Sequence, residues 1–254
     1  MSSPKKMKKK RRIAFPLCMV ACLLAVDFFA FGLFFELTSR SESHKFYDSL
    51  ATRTVQGSTA SAAAMTPQID FKNLRATCPN AVAWIYSIGT PINYPIVQGK
   101  DNQYYLSHRA DNSSNENGAV FLNKSNSPNF TDDNSILFAH HLATGDMFTS
   151  LEKYRDQKYY QAHPTMDLIT PTATYKIQLI AGYVLDGASP IFPTRFATDG
   201  EQKQFLDNAR KQSVFTSKVQ VASKDKLITM CTCTYDYNNA RLAVVGKLVK
   251  QSSK

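Results

Sequence analysis

Cys231 and Cys233 close the apolar run Leu227-Ile-Thr-Met-Cys-Thr-Cys233, and Arg241 opens a second apolar run after the polar stretch from Thr234 to Asn239. A thiol at the end of one strand, faced by a guanidinium at the start of the next, suits cysteine-based acyl transfer. Such chemistry needs a proton-transfer partner, and the chain offers five histidines: His44, His108, His140, His141 and His163. His140 and His141 directly follow the apolar strand Ile136 to Phe138, at a strand end where functional groups are displayed. Adjacent strand residues face opposite sides, so only one of the two points at a given site. Cys231 and Cys233 stand two apart and project on the same face. Cys233, nearer the strand end, has the better thiolate access, and Cys231 reads as a small buried residue beside it. A strained disulfide between them that silences the site on oxidation is the sharper alternative. A zinc site built from Cys231, Cys233, His140 and His141 is another, although the spacing matches no usual zinc pattern.

These groups need a scaffold, and the scaffold reads mainly as strands. Short apolar or alternating runs fall at Trp84 to Ile88, Tyr94 to Gln98, Gly118 to Phe121, Ser135 to Phe138, Met166 to Thr170, Thr174 to Leu185, Lys226 to Thr232 and Leu242 to Val249, bounded by Gly, Pro, Asn and Asp. Helical patterns are fewer: a stretch from Phe71 leading into the Trp84 strand, Met147 to Lys153, Gln157 to Ala162, and Gly200 to Lys211. Many short strands with few helices argue for a mainly-β barrel or sandwich.

The other end of the chain concerns location. Seven cations between Lys5 and Arg12, with no acid among them, account for most of the net charge of +10 and leave +3 for the remainder. The high charge therefore belongs to a tail, which speaks against nucleic-acid binding. An apolar run from Ile13 to Phe35, interrupted by Asp27, follows directly. As a helix it spans roughly 34 Å, enough to cross a bilayer core. The expected organisation is a cytoplasmic basic tail over 1–12, a transmembrane anchor over 13–37, an extracellular helical stalk or linker over 38–68 and a catalytic domain over 69–254. That places the protein in the cell membrane, single-pass, with its catalytic domain outside. Cys18 and Cys22 fall in the anchor, and Cys78 reads as a packing residue. An exported chain that keeps Cys231 and Cys233 out of a disulfide framework invites a chemical explanation.

Three blocks together, Ser135-Ile-Leu-Phe-Ala-His-His-Leu-Ala-Thr-Gly-Asp-Met-Phe148, Thr229-Met-Cys-Thr-Cys233 and Asn239-Ala-Arg241, resemble the signature blocks of the sortases, specifically class B. Trp84-Ile85, the segment Pro91 to Leu106 and Gly118 to Leu122 agree as well, so the likeness covers about Ile69 to Lys250. Ala139 stands where glycine is usual and Cys231 where serine is usual. The resemblance implies a closed β-barrel with a few peripheral helices. It implies Cys233 as nucleophile and acyl-thioester carrier, His140 as proton donor and acceptor, and Arg241 as stabiliser of oxyanion and substrate. It further implies substrate contacts from Tyr183, Ser189, Ile191, Arg195 and Thr232, in part from an insertion over Asp186 to Lys224 that walls the groove. His141, Cys231 and Asp236 are accessory candidates, Asp236 also as an ion-pair partner for Arg241. No metal or cofactor is implied. The partners implied are secreted proteins bearing a C-terminal sorting signal, and an amine from a lipid-linked peptidoglycan precursor or a pilin lysine. A membrane-tethered cysteine peptidase that releases a free carboxylate, or a non-catalytic surface-binding module, are the alternatives.

Overall fold

The longer strands are buried over consecutive residues because successive side chains point to opposite faces and both faces are covered, and this builds two apolar layers on one sheet. The structure, a computed structural model, describes residues 38, 42–56, 66–188 and 192–252. In chain order it contains helix α1 over 42–54, β1 (Val55–Gln56), β2 (Gln68–Ile69), α2 (Phe71–Thr77), β3 (Ala81–Tyr86), β4 (Asn93–Gln98), β5 (Val120–Leu122) and β6 (Asn134–Phe138). It continues with a 3-10 helix (Thr149–Arg155), α3 (Gln157–Ala162), β7 (Thr165–Ile169), β8 (Thr174–Asp186), α4 (Asp199–Lys211), β9 (Lys226–Cys233) and β10 (Ala240–Lys250).

Eight of these strands close into a barrel in the order β10-β8-β7-β3-β4-β5-β6-β9. Six of the joints are antiparallel, whereas β4–β5 and β6–β9 are parallel. The strand pattern read from the sequence is therefore a closed barrel and not a sandwich. Inside it, Trp84, Ile96, Leu168, Leu179, Ile228, Met230, Leu242 and Val244 share one core. Trp84 can be fully buried because its indole Nε1 donates to Asn93 Oδ1 at 2.8 Å.

The alternate residues of β8, β9 and β10 face outward, where Ala181, Tyr183, Leu227, Cys231, Ala243 and Val245 meet Phe192, Leu206 and Ala209 of the insertion between β8 and β9. Helix α4 starts cleanly because Thr198 accepts the Glu201 N–H and Glu201 in turn accepts the Ala197 N–H. Its acidic first turn and basic last turn complement the helix dipole. The helix expected over Met147 to Lys153 is displaced to a 3-10 helix, since Met147 sits at φ +55°, outside helical geometry.

Two expectations about the N-terminal part need restating. The anchor expected over 13–37 and the basic tail lie outside the described residues; among the described residues, no helix is long and apolar enough to cross a membrane. The stretch expected as a stalk is integrated with the barrel where it is described. Tyr47 and Leu50 of α1 are buried in the main core, and β1 pairs with β2 beside α2. Cys78 is fully buried, and burial pushes its thiol up to about 12, as expected of a packing residue.

Candidate active site

Strand register brings thiol and guanidinium together. Along the β9–β10 ladder Cys233 is paired with Arg241, Thr232 with Leu242 and Cys231 with Ala243. Cys231 and Cys233 thus face the outer side of the barrel wall, as does Arg241. On the far side of β9, the parallel joint places Phe138 opposite Cys231, and the chain continues through Ala139, whose N–H donates to the Cys231 carbonyl at 3.3 Å. His140 follows at once. Cys233, His140 and Arg241 all line one cleft of about 340 Å³, together with Cys231, Thr232, Phe121, Phe138, Leu106 and Asn102 from the barrel side, and Leu185, Asp186, Gly187 and Phe192 from β8 and the insertion.

The two thiols differ in kind. Cys231 is only 5% exposed and lies in the outer apolar layer, where burial pushes its thiol up to about 12. Cys233 is half-exposed at the end of the strand. The ladder runs through Cys231 and Cys233 without a bulge, so the two Cβ atoms are about 6.7 Å apart, as any i, i+2 pair in a strand. A disulfide needs roughly 3.5–4.5 Å between Cβ atoms, so the strained bridge considered from sequence does not fit this backbone. Nor do three or more of His, Cys, Asp and Glu converge as a metal site requires among the described residues, which leaves the zinc alternative without geometry.

His140 is held by its Nε2, 2.7 Å from the Leu106 carbonyl oxygen. A carbonyl only accepts, so Nε2 carries a proton and Nδ1 is the nitrogen left to exchange one. Gly118 packs against the same ring: a Cβ there would lie 3.1 Å from His140 Cδ2 and 2.5 Å from the Tyr105 carbonyl oxygen, and the residue holds φ +63°. Only glycine satisfies both conditions. His141 turns the other way, its ring set edge-on to Tyr235 at 5.0 Å.

Arg241 makes no ion pair among the described residues; its one hydrogen bond goes to the neighbouring Ala240 carbonyl at 3.1 Å. Asp236, weighed as its partner, is taken by Arg155 instead. The Arg155 guanidinium grips Asp236 through both carboxylate oxygens at 2.5 and 3.2 Å and also reaches Thr234 Oγ1 at 3.1 Å. Hydrogen bonds from Thr234 and then from Arg155 hold the Asp236 carboxyl below its ordinary value. Arg155, which the sequence reading missed, thereby staples the loop whose two ends are Cys233 and Arg241.

The expected substrate contacts divide. Thr232 lines the cleft, buried, with its Oγ1 unpartnered. Tyr183 lies beneath the cleft in the outer apolar layer, where burial pushes its phenol up, and is not a lining residue. Arg195 points into solvent, 81% exposed, with its Nε 3.7 Å from Asp132 Oδ1. Ser189 and Ile191 lie outside the described residues, while their neighbour Phe192 does line the cleft.

A sortase-domain family model matches residues 85–249. Sortase B of Listeria monocytogenes is 35% identical over 182 residues, covering 71% of this chain and 74% of the relative. The chain belongs to the sortase family, in its class B. Sortase B of Staphylococcus aureus is 32% identical over 184 residues, 72% of this chain and 75% of the relative. The solved S. aureus sortase B–substrate complex superposes with a TM-score of 0.72 at 28% identity, covering 85% of this chain and 99% of the other. A sortase B structure from Bacillus anthracis gives the same TM-score and identity, covering 85% and 100%. This sortase is accordingly a cysteine transpeptidase built on the barrel that its sequence implied.

Proposed function

We propose that this sortase cleaves a C-terminal sorting signal on secreted proteins and transfers the acyl group to an amine of the cell wall. The observation that carries the reading is the register pair Cys233–Arg241 opening on the same cleft as His140. The Cys233 thiolate attacks the scissile carbonyl; the C–S bond forms, the C–N bond breaks, and His140 Nδ1 gives its proton to the departing amine. The incoming amine then attacks the thioester, a C–N bond replaces the C–S bond, its proton passes to His140, and the thiolate is restored. Arg241, permanently charged and without an ion-pair partner among the described residues, stabilises the oxyanion at both stages.

Support for an amine acceptor comes from relatives: sortase B structures have been solved with substrate and with triglycine. The acceptor assigned here is a lipid-linked peptidoglycan precursor or a pilin lysine. A membrane anchor over 13–37, with the basic tail of 1–12 in the cytoplasm and the domain outside, would confine enzyme and both substrates to one layer. Mass spectrometry of the protein with a pooled pentapeptide library, with and without triglycine, tests the reading. The expected result is an acyl adduct on Cys233 that triglycine discharges as a new amide. Release of a free carboxylate alone, with triglycine ignored, would make the protein a tethered peptidase instead.

A further inference from the structure

His140 is held by Leu106 at the cleft wall and rests against Gly118, and one side chain of the N-terminal helix braces this support from two sides. Tyr47, 4% exposed, donates its Oη proton to the Gly118 carbonyl at 2.9 Å and accepts the Ala110 N–H at 3.3 Å. Gly118 is the residue against which the His140 ring rests, and the same close approach brings it to Leu106, whose carbonyl accepts from His140 Nε2. On the opposite side, the Tyr47 ring meets Tyr94 edge-on at 5.4 Å, and Tyr94 Oη accepts the Met147 N–H at 3.0 Å. Met147 bridges to His141, and the Phe148 N–H donates to the His140 carbonyl at 3.2 Å. One buried phenol therefore braces both the shelf under the imidazole and the turn that carries it.

We propose that Tyr47 is a positioning residue for His140, which makes α1 part of the catalytic apparatus and not a spacer between membrane and barrel. The inference rests on the reading of His140 as the proton-transfer group. A packing role alone would be met by the aromatic ring; the hydroxyl adds a fixed location for the Gly118 carbonyl. Without that bond the Leu106–Gly118 shelf relaxes, the Nε2–H to Leu106 bond lengthens, and Nδ1 loses its aim. Small displacements of this kind lower the rate of the chemical step more than they lower binding.

The test uses the full chain with the most reactive library peptide and triglycine, comparing Tyr47→Phe with Leu50→Ala, a buried residue of the same helix whose side chain has no group to hydrogen-bond the shelf. Tyr47→Phe is expected to lower kcat by about tenfold with KM changed less than about twofold. It should also displace the His140 limb of the pH–rate profile and weaken the His140 Nε2–H signal in side-chain nitrogen-15 NMR. Leu50→Ala should lower the melting temperature at least as much and leave the profile and the ring signal alone. Should Tyr47→Phe not fold, Tyr47→Met carries the same comparison. A wild-type profile and ring signal in the Tyr47 variant, or an equal disturbance by Leu50→Ala, overturns the proposal. An active His140→Ala enzyme would instead sink the role given to His140, whereas an inactive one beside a wild-type Tyr47→Phe sinks only the role given to Tyr47.

Discussion

The two halves of the active site are made differently. Cys233 and Arg241 owe their proximity to a ladder: neighbouring strands in unbroken register place one opposite the other, and every intervening backbone bond repeats that decision. His140 stands two residues past the end of β6, and its ring is placed by a carbonyl of Leu106, a glycine that admits no Cβ, and a turn pinned through Tyr94. A laddered half resists displacement because moving one residue means breaking several hydrogen bonds at once. A looped half can be tuned by single distant side chains. The thiol and the cation should therefore tolerate changes around them, while the histidine should not.

The largest expected effect is on the laddered half itself. Cys233→Ala should abolish the acyl adduct and cut turnover on the order of 10⁴-fold or more, measured by intact mass and amide formation. An adduct persisting on Cys231 would break the distinction between the two thiols. Arg241→Met should cost about 10²–10³-fold in kcat, the scale of losing one oxyanion donor. A loss seen only in KM would assign the guanidinium to substrate binding alone. Arg155→Met frees the loop between Cys233 and Arg241 and should lower kcat by about tenfold. If it leaves kcat unchanged, the ladder alone positions Cys233, which sharpens the contrast further.

Smaller effects concern protonation. Iodoacetamide at pH 8 should modify Cys233 and spare Cys231, whose thiol, pushed up to about 12 by burial, stays protonated; peptide mapping reads this directly. Asp236 has its carboxyl held below the ordinary 3.8, first by Thr234 and then by Arg155. A lowered value in the folded state means stabilisation that is present above 3.8 and lost as pH falls through the folded value. The small melting-temperature advantage of the wild type over Asp236→Asn should accordingly persist at neutral pH and close only below 3.8. A gap that closed between pH 5 and 7 would rule the Arg155 clasp out as its source.

The laddered half was also the half legible from residue order. Short apolar or alternating runs bounded by turn residues located all eight barrel strands, and the two-residue spacing of Cys231 and Cys233 was enough to expect their common face. The looped half was legible only as His140 at a strand end. Its supports left no signal, since the Leu106 group is a backbone carbonyl and carries no residue type. Tyr47 sits in a segment whose polar surroundings and Ser/Ala/Thr-rich sequel read as a linker. Asp236 was matched with the cation nearest in sequence, Arg241, because the fold that brings Arg155 to the loop is not local. Tyr183 was expected at the groove; it does share the outward face of Ala243 and Cys231, but the insertion that packs over that face buries it in the apolar layer, and such tertiary cover leaves no local signal.

The parallel seam between β6 and β9 has a consequence for the order in which the protein is made. Antiparallel neighbours can find each other across a short turn, but Asn134 must wait for Leu227, and β9 has only β6 and the late β10 to lean on. Contacts so distant in sequence form slowly, because the entropy of closing the loop is lost before any pairing rewards it. During chain synthesis, then, the histidine side can be in place while the thiol is still an ordinary cysteine on an unpaired segment. Reactivity arrives only with barrel closure, so the last event of folding is also the one that arms the enzyme.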